Sequence, residues 1–320
     1  MITFEEAFSF VDYSGKRSIL LANGFSQAWN KDVFSYKSLF SSAHFGERHR
    51  VIRRIFDTFN TYDFEKVMKR LIAAEDILRI YNADPDLINA IKADQEAIKN
   101  ALIEVISATH PALPRDVTDE QYVSVRKFLK PFSNVFTLNY DLLFYWARNQ
   151  FGLEPEYNTD DGFRGGPWEG PESQNVHFLH GGLHIYDTLG GIRKHACSDQ
   201  GESIIEQVKW NMENRKFPTF VSEPTHERKK VRIQHNPYLS YCFERLGRLQ
   251  GVLFIYGHSF DDNDRHIFDQ IKQSSVSKVF VSVYGDKDSE GNVLLRGRAQ
   301  AYLGAHSVEF FQAESARVWG

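Results

Sequence analysis

Apolar and polar positions change period several times along the chain. A short run, Ser18-Ile19-Leu20-Leu21-Ala22, stops at Asn23-Gly24, the pattern of a buried strand entering a tight turn. From about 47 the spacing turns helical. Phe64, Val67, Met68, Leu71, Ile72, Leu78 and Tyr81 recur at i, i+3, i+4. Asp84-Pro85 then predicts an N-cap with proline at the first helical position, and Ile88, Ile91, Ile98, Leu102 and Val105 carry a second stripe to His110-Pro111. Thr118 and Gln121 predict a capping box opening a helix that runs to about 129.

Beyond this block the chain alternates. Strands are expected at 135–138, 176–179, 252–256, 278–284 and 308–311. Helices are expected at 141–151 (with Gly152 as a stop), 202–214, 238–249, 262–273 and 294–302. Strands alternating with helices imply an α/β fold: a Rossmann-like, doubly wound, mainly parallel sheet. The helical block at 45–130 reads as an insertion within a single domain spanning 1–320. Two long segments, 154–174 and 222–237, read as loops rich in Gly, Pro and charge, and loops of that length are more often functional than idle.

Composition narrows the class. With 320 residues, 42% hydrophobic and 25% charged, the chain can bury a sizeable core. A net charge of −4 supplies no strong positive field, so direct nucleic-acid binding is not expected. The longest apolar runs fall far short of the ~18 residues of a membrane span, and the acidic start is unlike a secretory signal, so a cytoplasmic protein is expected. Two cysteines, Cys197 and Cys242, make neither a four-thiolate zinc site nor a disulfide scaffold. Aromatic content of 14% fits either a broad core or an aromatic interface.

In an open parallel sheet, ligands bind beyond the carboxyl ends of the strands. Four predicted strands end in Ala22-Asn23-Gly24-Phe25-Ser26, Thr137-Leu138-Asn139-Tyr140-Asp141, Leu179-His180-Gly181-Gly182 and Tyr256-Gly257-His258-Ser259-Phe260. Convergence of these ends would place small residues near a helix N-terminus for phosphate, an amide and a carboxylate for hydroxyls, and an imidazole for proton transfer. Singly, each has a plainer reading. Asn23-Gly24 makes a turn, Asn139 or Asp141 caps a helix, His180 sits in a hydrogen-bonded turn, and Gly257 and Ser259 permit a tight connection.

The four elements together resemble the sirtuin (SIR2) NAD-binding series of Gly-Ala-Gly-x-Ser, Thr-x-Asn-x-Asp, His-Gly and Gly-x-Ser. They most resemble the zinc-free, divergent bacterial branch, which includes NAD+-consuming effectors of antiphage defence. The first element departs from the pattern at one glycine, and the Cys-x-x-Cys pairs of the deacylating sirtuins are absent. The segment from Ser222 to Leu239 also looks like an uncharacterised group of that branch. The resemblance implies an NAD+ glycohydrolase releasing nicotinamide and ADP-ribose, with no zinc and no cofactor beyond NAD+ as substrate. It implies Asn139, Asp141 and His180 as catalytic residues, and Ala22, Asn23, Gly24, Ser26, Gly257 and Ser259 as binding residues. Control by a homo-oligomer or a regulatory protein partner is expected, since NAD+ depletion is toxic. The alternative is a catalytically silent module that binds NAD+ or ADP-ribose; a deacylase or ADP-ribosyltransferase fits less well without the zinc module.

Other clusters read as structural. His177, His180 and His184 lack helical ligand spacing. Asp261-Asp262-Asn263-Asp264 lacks an EF-hand pattern and suits a helix N-terminus. The basic cluster Glu227-Arg228-Lys229-Lys230 with Arg232 reads as a solvated loop, with contact to NAD phosphates or a nucleic acid as the lesser reading.

Overall fold

The computed structural model describes the chain apart from residues 11–15, 35, 112, 151, 155, 197–202, 214–217, 224 and 305. Its six main strands are β1 (Arg17–Leu21), β2 (Asn134–Thr137), β3 (Val176–Phe178), β7 (Gln250–Tyr256), β8 (Ser275–Val283) and β9 (Ser307–Gln312). A second set, β4 (Gly181–Thr188), β5 (Gly191–Lys194) and β6 (Pro218–Phe220), lies between them in the chain. The six-stranded sheet is parallel throughout in the order β3-β2-β1-β7-β8-β9. Counting only its own strands, the order is third, second, first, fourth, fifth, sixth, which is the doubly wound dinucleotide-fold order. The fold is α/β and Rossmann-like, as the alternation predicts.

Near-continuous apolar runs form the central strands because both faces are covered. Ile19, Leu20 and Leu21 of β1 and Leu253, Phe254 and Ile255 of β7 are fully buried. The high aromatic content is largely core: Phe254 meets Phe4, Phe8, Phe132, Phe280 and Phe311 with ring centroids 5.0–6.1 Å apart. Phe4 and Phe8 belong to α1 (Phe4–Ser9), opened by a Thr3–Glu6 capping box.

Between β1 and β2 come α2 (Asn23–Trp29), α3 (Lys31–Phe34), α4 (Tyr36–Ser42), α5 (His49–Thr58), α6 (Phe64–Ile80), α7 (Pro85–Thr109) and α8 (Asp119–Leu129). Both sequence-predicted caps occur here: Asp84 accepts from Asp86 N at 2.9 Å with Pro85 beginning α7, and Thr118 and Gln121 form a reciprocal box on α8. Phe40, Phe45, Phe56 and Phe64 pack on one another among these helices and join the one core that runs on to the sheet.

The remaining helices are α9 (Leu143–Arg148), α10 (Ile204–Glu213), α11 (His226–Gln234), α12 (Pro237–Gly247), α13 (Arg265–Ile271) and α14 (Glu290–Leu303). Three features depart from the sequence reading. The antiparallel sheet β5-β4-β6 was not expected, because β5 and β6 are short and all three strands begin in glycine or proline. The expected loop at 222–237 contains α11, whose polar face hid it; Thr225 caps it, and Asn236 with Pro237 opens α12. The helix expected at 141–151 is shorter, Leu143–Arg148, and Phe151 and Cys197 lie outside the described residues. Among the described residues, no helix is long and apolar enough to cross a membrane.

Candidate functional site

The order of the sheet reverses between β1 and β7, so a crevice opens beyond their carboxyl ends. There the first and last of the four motifs touch. Ala22 N donates to Tyr256 O, and Gly24 N donates to Gly257 O, each at 2.9 Å. A Cβ on Gly24 would sit 2.4 Å from Gly257 Cα, and one on Gly257 would sit 2.5 Å from Gly24 Cα. Gly257 also has φ +74°, which L side chains rarely adopt. Both glycines are therefore required by backbone approach.

The second motif enters from β2. Thr137 Oγ1 accepts from Asn139 N at 3.1 Å and fixes the turn that brings Asn139 and Asp141 to the crevice. Asn139 Nδ2 donates to Ser26 Oγ at 2.8 Å, and Ser26 Oγ donates to Asp141 Oδ2 at 2.6 Å. Asp141 Oδ1 accepts from Leu143 N at 3.0 Å, holding the start of α9. Burial raises the Asp141 carboxyl above its usual range, against the pull of Ser26.

His180 follows β3 and precedes β4. Its carbonyl accepts from Val221 N at 2.9 Å. Gly181 has φ +73°, and a Cβ there would lie 2.0 Å from Thr219 O, so the glycine lets β4 close on β6. The imidazole is buried and stacks near-parallel on His266, with the two Nε2 atoms 3.2 Å apart. Burial holds the His180 pKa well below the ordinary 6.5 despite the nearby Asp264, so the ring is neutral near pH 7.

Beneath His180 lies a charged group that the sequence reading missed. Lys229 of α11, 1% exposed, places Nζ 2.9 Å from Asp264 Oδ1, and His258 Nε2 lies 3.2 Å from Asp264 Oδ2. Burial alone would raise the Asp264 carboxyl, but Lys229, His258 and His180 bring it well below the usual carboxylate range. Lys229 is no solvated loop residue, and Asp264 does more than favour a helix N-terminus. Each residue's sequence neighbours are polar, and nothing local shows that the two meet.

These groups line one cavity of about 270 Å³. Of the residues predicted from sequence, Ala22, Asn23, Gly24, Asn139, Asp141, His180, Gly257 and Ser259 line it. Ser26 does not; it is fully buried and tethers Asn139 to Asp141 from behind. The Rossmann edge supplies a polar floor, while Phe34, Leu39, Phe64, Leu102 and Ile106 of the inserted helices supply an apolar roof. Lys66 of α6 ties roof to floor, 3.4 Å from both Asp63 and Asp261. A larger open cavity of about 1100 Å³, bordered by Tyr186, His195 and Trp210, contains none of the four motifs.

His180, Asp264 and His266 each bring a ligand atom within 4.8 Å of the others, a set that could hold a metal ion. The Lys229 ammonium already occupies one Asp264 oxygen, which opposes a second cation there. His177 and His184 do not join this group: His177 stacks on Phe136 and His184 on Tyr145, both buried. Burial pushes the Cys242 thiol up to about 12, leaving it unreactive.

Residues 19–319 match the model of a family described as "Domain of unknown function (DUF4917)". No curated protein matches the chain. Among solved structures, a Sir2 homologue complexed with NAD shares 13% identity over 94% of this chain and 96% of that one, at a TM-score of 0.34. A Sir2 homologue triple mutant with 2′-O-acetyl ADP ribose gives 13%, 93%, 97% and 0.34, and a Sir2 mutant with a p53 peptide and NAD gives 11%, 94%, 98% and 0.35. Likenesses this distant carry no weight for the chemistry; the strand order and the cavity are read from the chain itself.

Proposed function

The chain belongs to the family described as "Domain of unknown function (DUF4917)", and, since that description carries no activity, we propose from the site that it is an NAD+ glycohydrolase. One observation carries the reading. An amide, a carboxylate, a neutral imidazole and two touching glycine turns, from four distant segments, line a single cavity at the reversal point of a doubly wound sheet. The sirtuin-like spacing of those motifs supports the choice of NAD+ over other dinucleotides.

In this reading the backbone around Ala22, Asn23, Gly24, Gly257 and Ser259 takes the phosphates and ribose. Asn139, steadied by Ser26, positions the ribose and the attacking water, and Asp141 faces the nicotinamide carboxamide. The bond between nicotinamide nitrogen and ribose C1′ breaks with its electron pair leaving on nicotinamide. Water adds to the oxocarbenium-like carbon, and its proton passes to His180, directly or through a ribose hydroxyl. Net, NAD+ and water give nicotinamide, ADP-ribose and a proton. No zinc takes part. A role as a regulated cytoplasmic effector of antiphage defence, assembled with itself or a partner protein, rests on the sequence resemblance alone.

A silent binding module is the second reading, favoured by the strong depression of the His180 pKa, which makes a weaker base. Nicotinamide release from purified protein separates the two. His180→Ala is expected to lower turnover by about 10²–10⁴-fold, the usual contribution of a positioned base, and Asn139→Ala to a similar degree, with thermal melts near wild type. Full turnover by either folded variant ends the assignment; no turnover by wild type with tight NAD+ binding selects the silent module.

A further inference from the structure

At the other end of α9 from Asp141 a second cavity of about 760 Å³ opens against the long segment at 154–174. Arg126, Arg148 and Lys194 line it, with Tyr157 and Asp161. Its charges do not balance. Arg148 Nη1 and Lys194 Nζ share one oxygen of Asp161, each at 2.6 Å. Among the described residues Arg126 pairs with no carboxylate; its Nη1 and Nη2 donate to the carbonyls of Ala147, Arg148, Glu154 and Tyr157 at 2.9–3.2 Å. The Glu154 carboxylate turns instead toward Lys127 and Lys130, and Asp160 and Arg164 neutralise each other. Three buried or largely buried cations thus face one carboxylate, an arrangement that is costly unless an anion joins it.

A second observation points the same way. Tyr157 is 6% exposed and Arg126 1% exposed, yet Tyr157 Oη and Arg126 Nε have no hydrogen-bond partner among the described residues. Buried polar atoms are rarely left unpaired without a ligand or water to meet them. Burial also pushes the Lys194 ammonium below its ordinary value against the pull of Asp161, a displacement that a bound anion would oppose.

We propose that this cavity binds a phosphorylated small molecule, with the phosphate seated among Arg148, Lys194 and the Tyr157 hydroxyl. The excess of two positive charges matches a phosphate dianion, and a phenol hydroxyl donates well to its oxygens.

Calorimetric titration with inorganic phosphate, against sodium chloride of matched ionic strength, tests this on the whole chain. Wild type is expected to bind one phosphate, Lys194→Met to bind about tenfold more weakly or worse, and Tyr157→Phe about threefold more weakly while keeping its melting temperature. Asn139→Ala, altered only in the other cavity, is expected to bind phosphate as wild type does. Absence of binding up to about 10 mM overturns the proposal, as does unchanged affinity in Tyr157→Phe and Lys194→Met. The readout is independent of NAD+ cleavage, so the failure of either proposal leaves the other standing.

Discussion

At the scale of single residues, the buried histidines set how this protein responds to acid. His110 and His177 are neutral inside the fold, burial having lowered them from 6.5 to about 4 and about 3. The unfolded chain takes up those protons near pH 6.5, so it binds more protons than the native state below that point. Their contribution is therefore complete above about pH 6.5 and falls as the pH drops, by about 2 kcal/mol each at pH 5. His177→Phe tests the sign. The ring stacks on Phe136 and its Nε2 has no partner among the described residues, so phenylalanine keeps the packing and deletes the proton site. Urea unfolding at pH 7.5 and pH 5 is expected to show about 2 kcal/mol less pH sensitivity in the variant than in wild type. An unchanged difference would show that His177 is not the buried neutral group assigned. His177 was legible as a strand residue from alternation alone, but the missing partner at Nε2 was not, since nothing in the sequence records what fails to reach that atom among the described residues.

At the scale of elements, legibility followed how each segment is buried. β1 and β7 were readable because strands covered on both faces are apolar at every position. The caps at Asp84 and Thr118 were readable because they are local. α11 was not, because one of its two buried residues is Lys229, whose partner Asp264 lies 35 residues away. The small sheet was not, because Gly181 serves a neighbouring backbone rather than a pattern. Of the site residues named from the strand-end motifs, all but Ser26 line the crevice cavity, and Ser26 sits behind it. Gly24→Ala is expected to destabilise by about 1–3 kcal/mol, since its methyl lands 2.4 Å from Gly257 Cα and forces two turns apart. Gly257→Ala should cost about 1–2 kcal/mol more, for the left-handed backbone it also strains. Melts of both variants check the order, and equal stability with wild type would contradict the close approach.

At the scale of the whole molecule, the inserted helices close over the Rossmann edge. A cavity of about 270 Å³ is small for a dinucleotide, so under the proposed function NAD+ entry is expected to draw the roof away from the floor. Lys66 spans the two through its partly exposed ion pair with Asp261, worth about 0.2–1 kcal/mol. Lys66→Met is accordingly expected to speed NAD+ association by about two- to fivefold in stopped flow, with little change in melting temperature. Association at the wild-type rate would place the entry path elsewhere. The paired glycines also constrain how this sequence can drift. The room each glycine leaves is filled by the other's main chain. Substituting both adds a second collision instead of relieving the first. A library randomised at codons 24 and 257 should therefore return glycine at both, with no compensating combination.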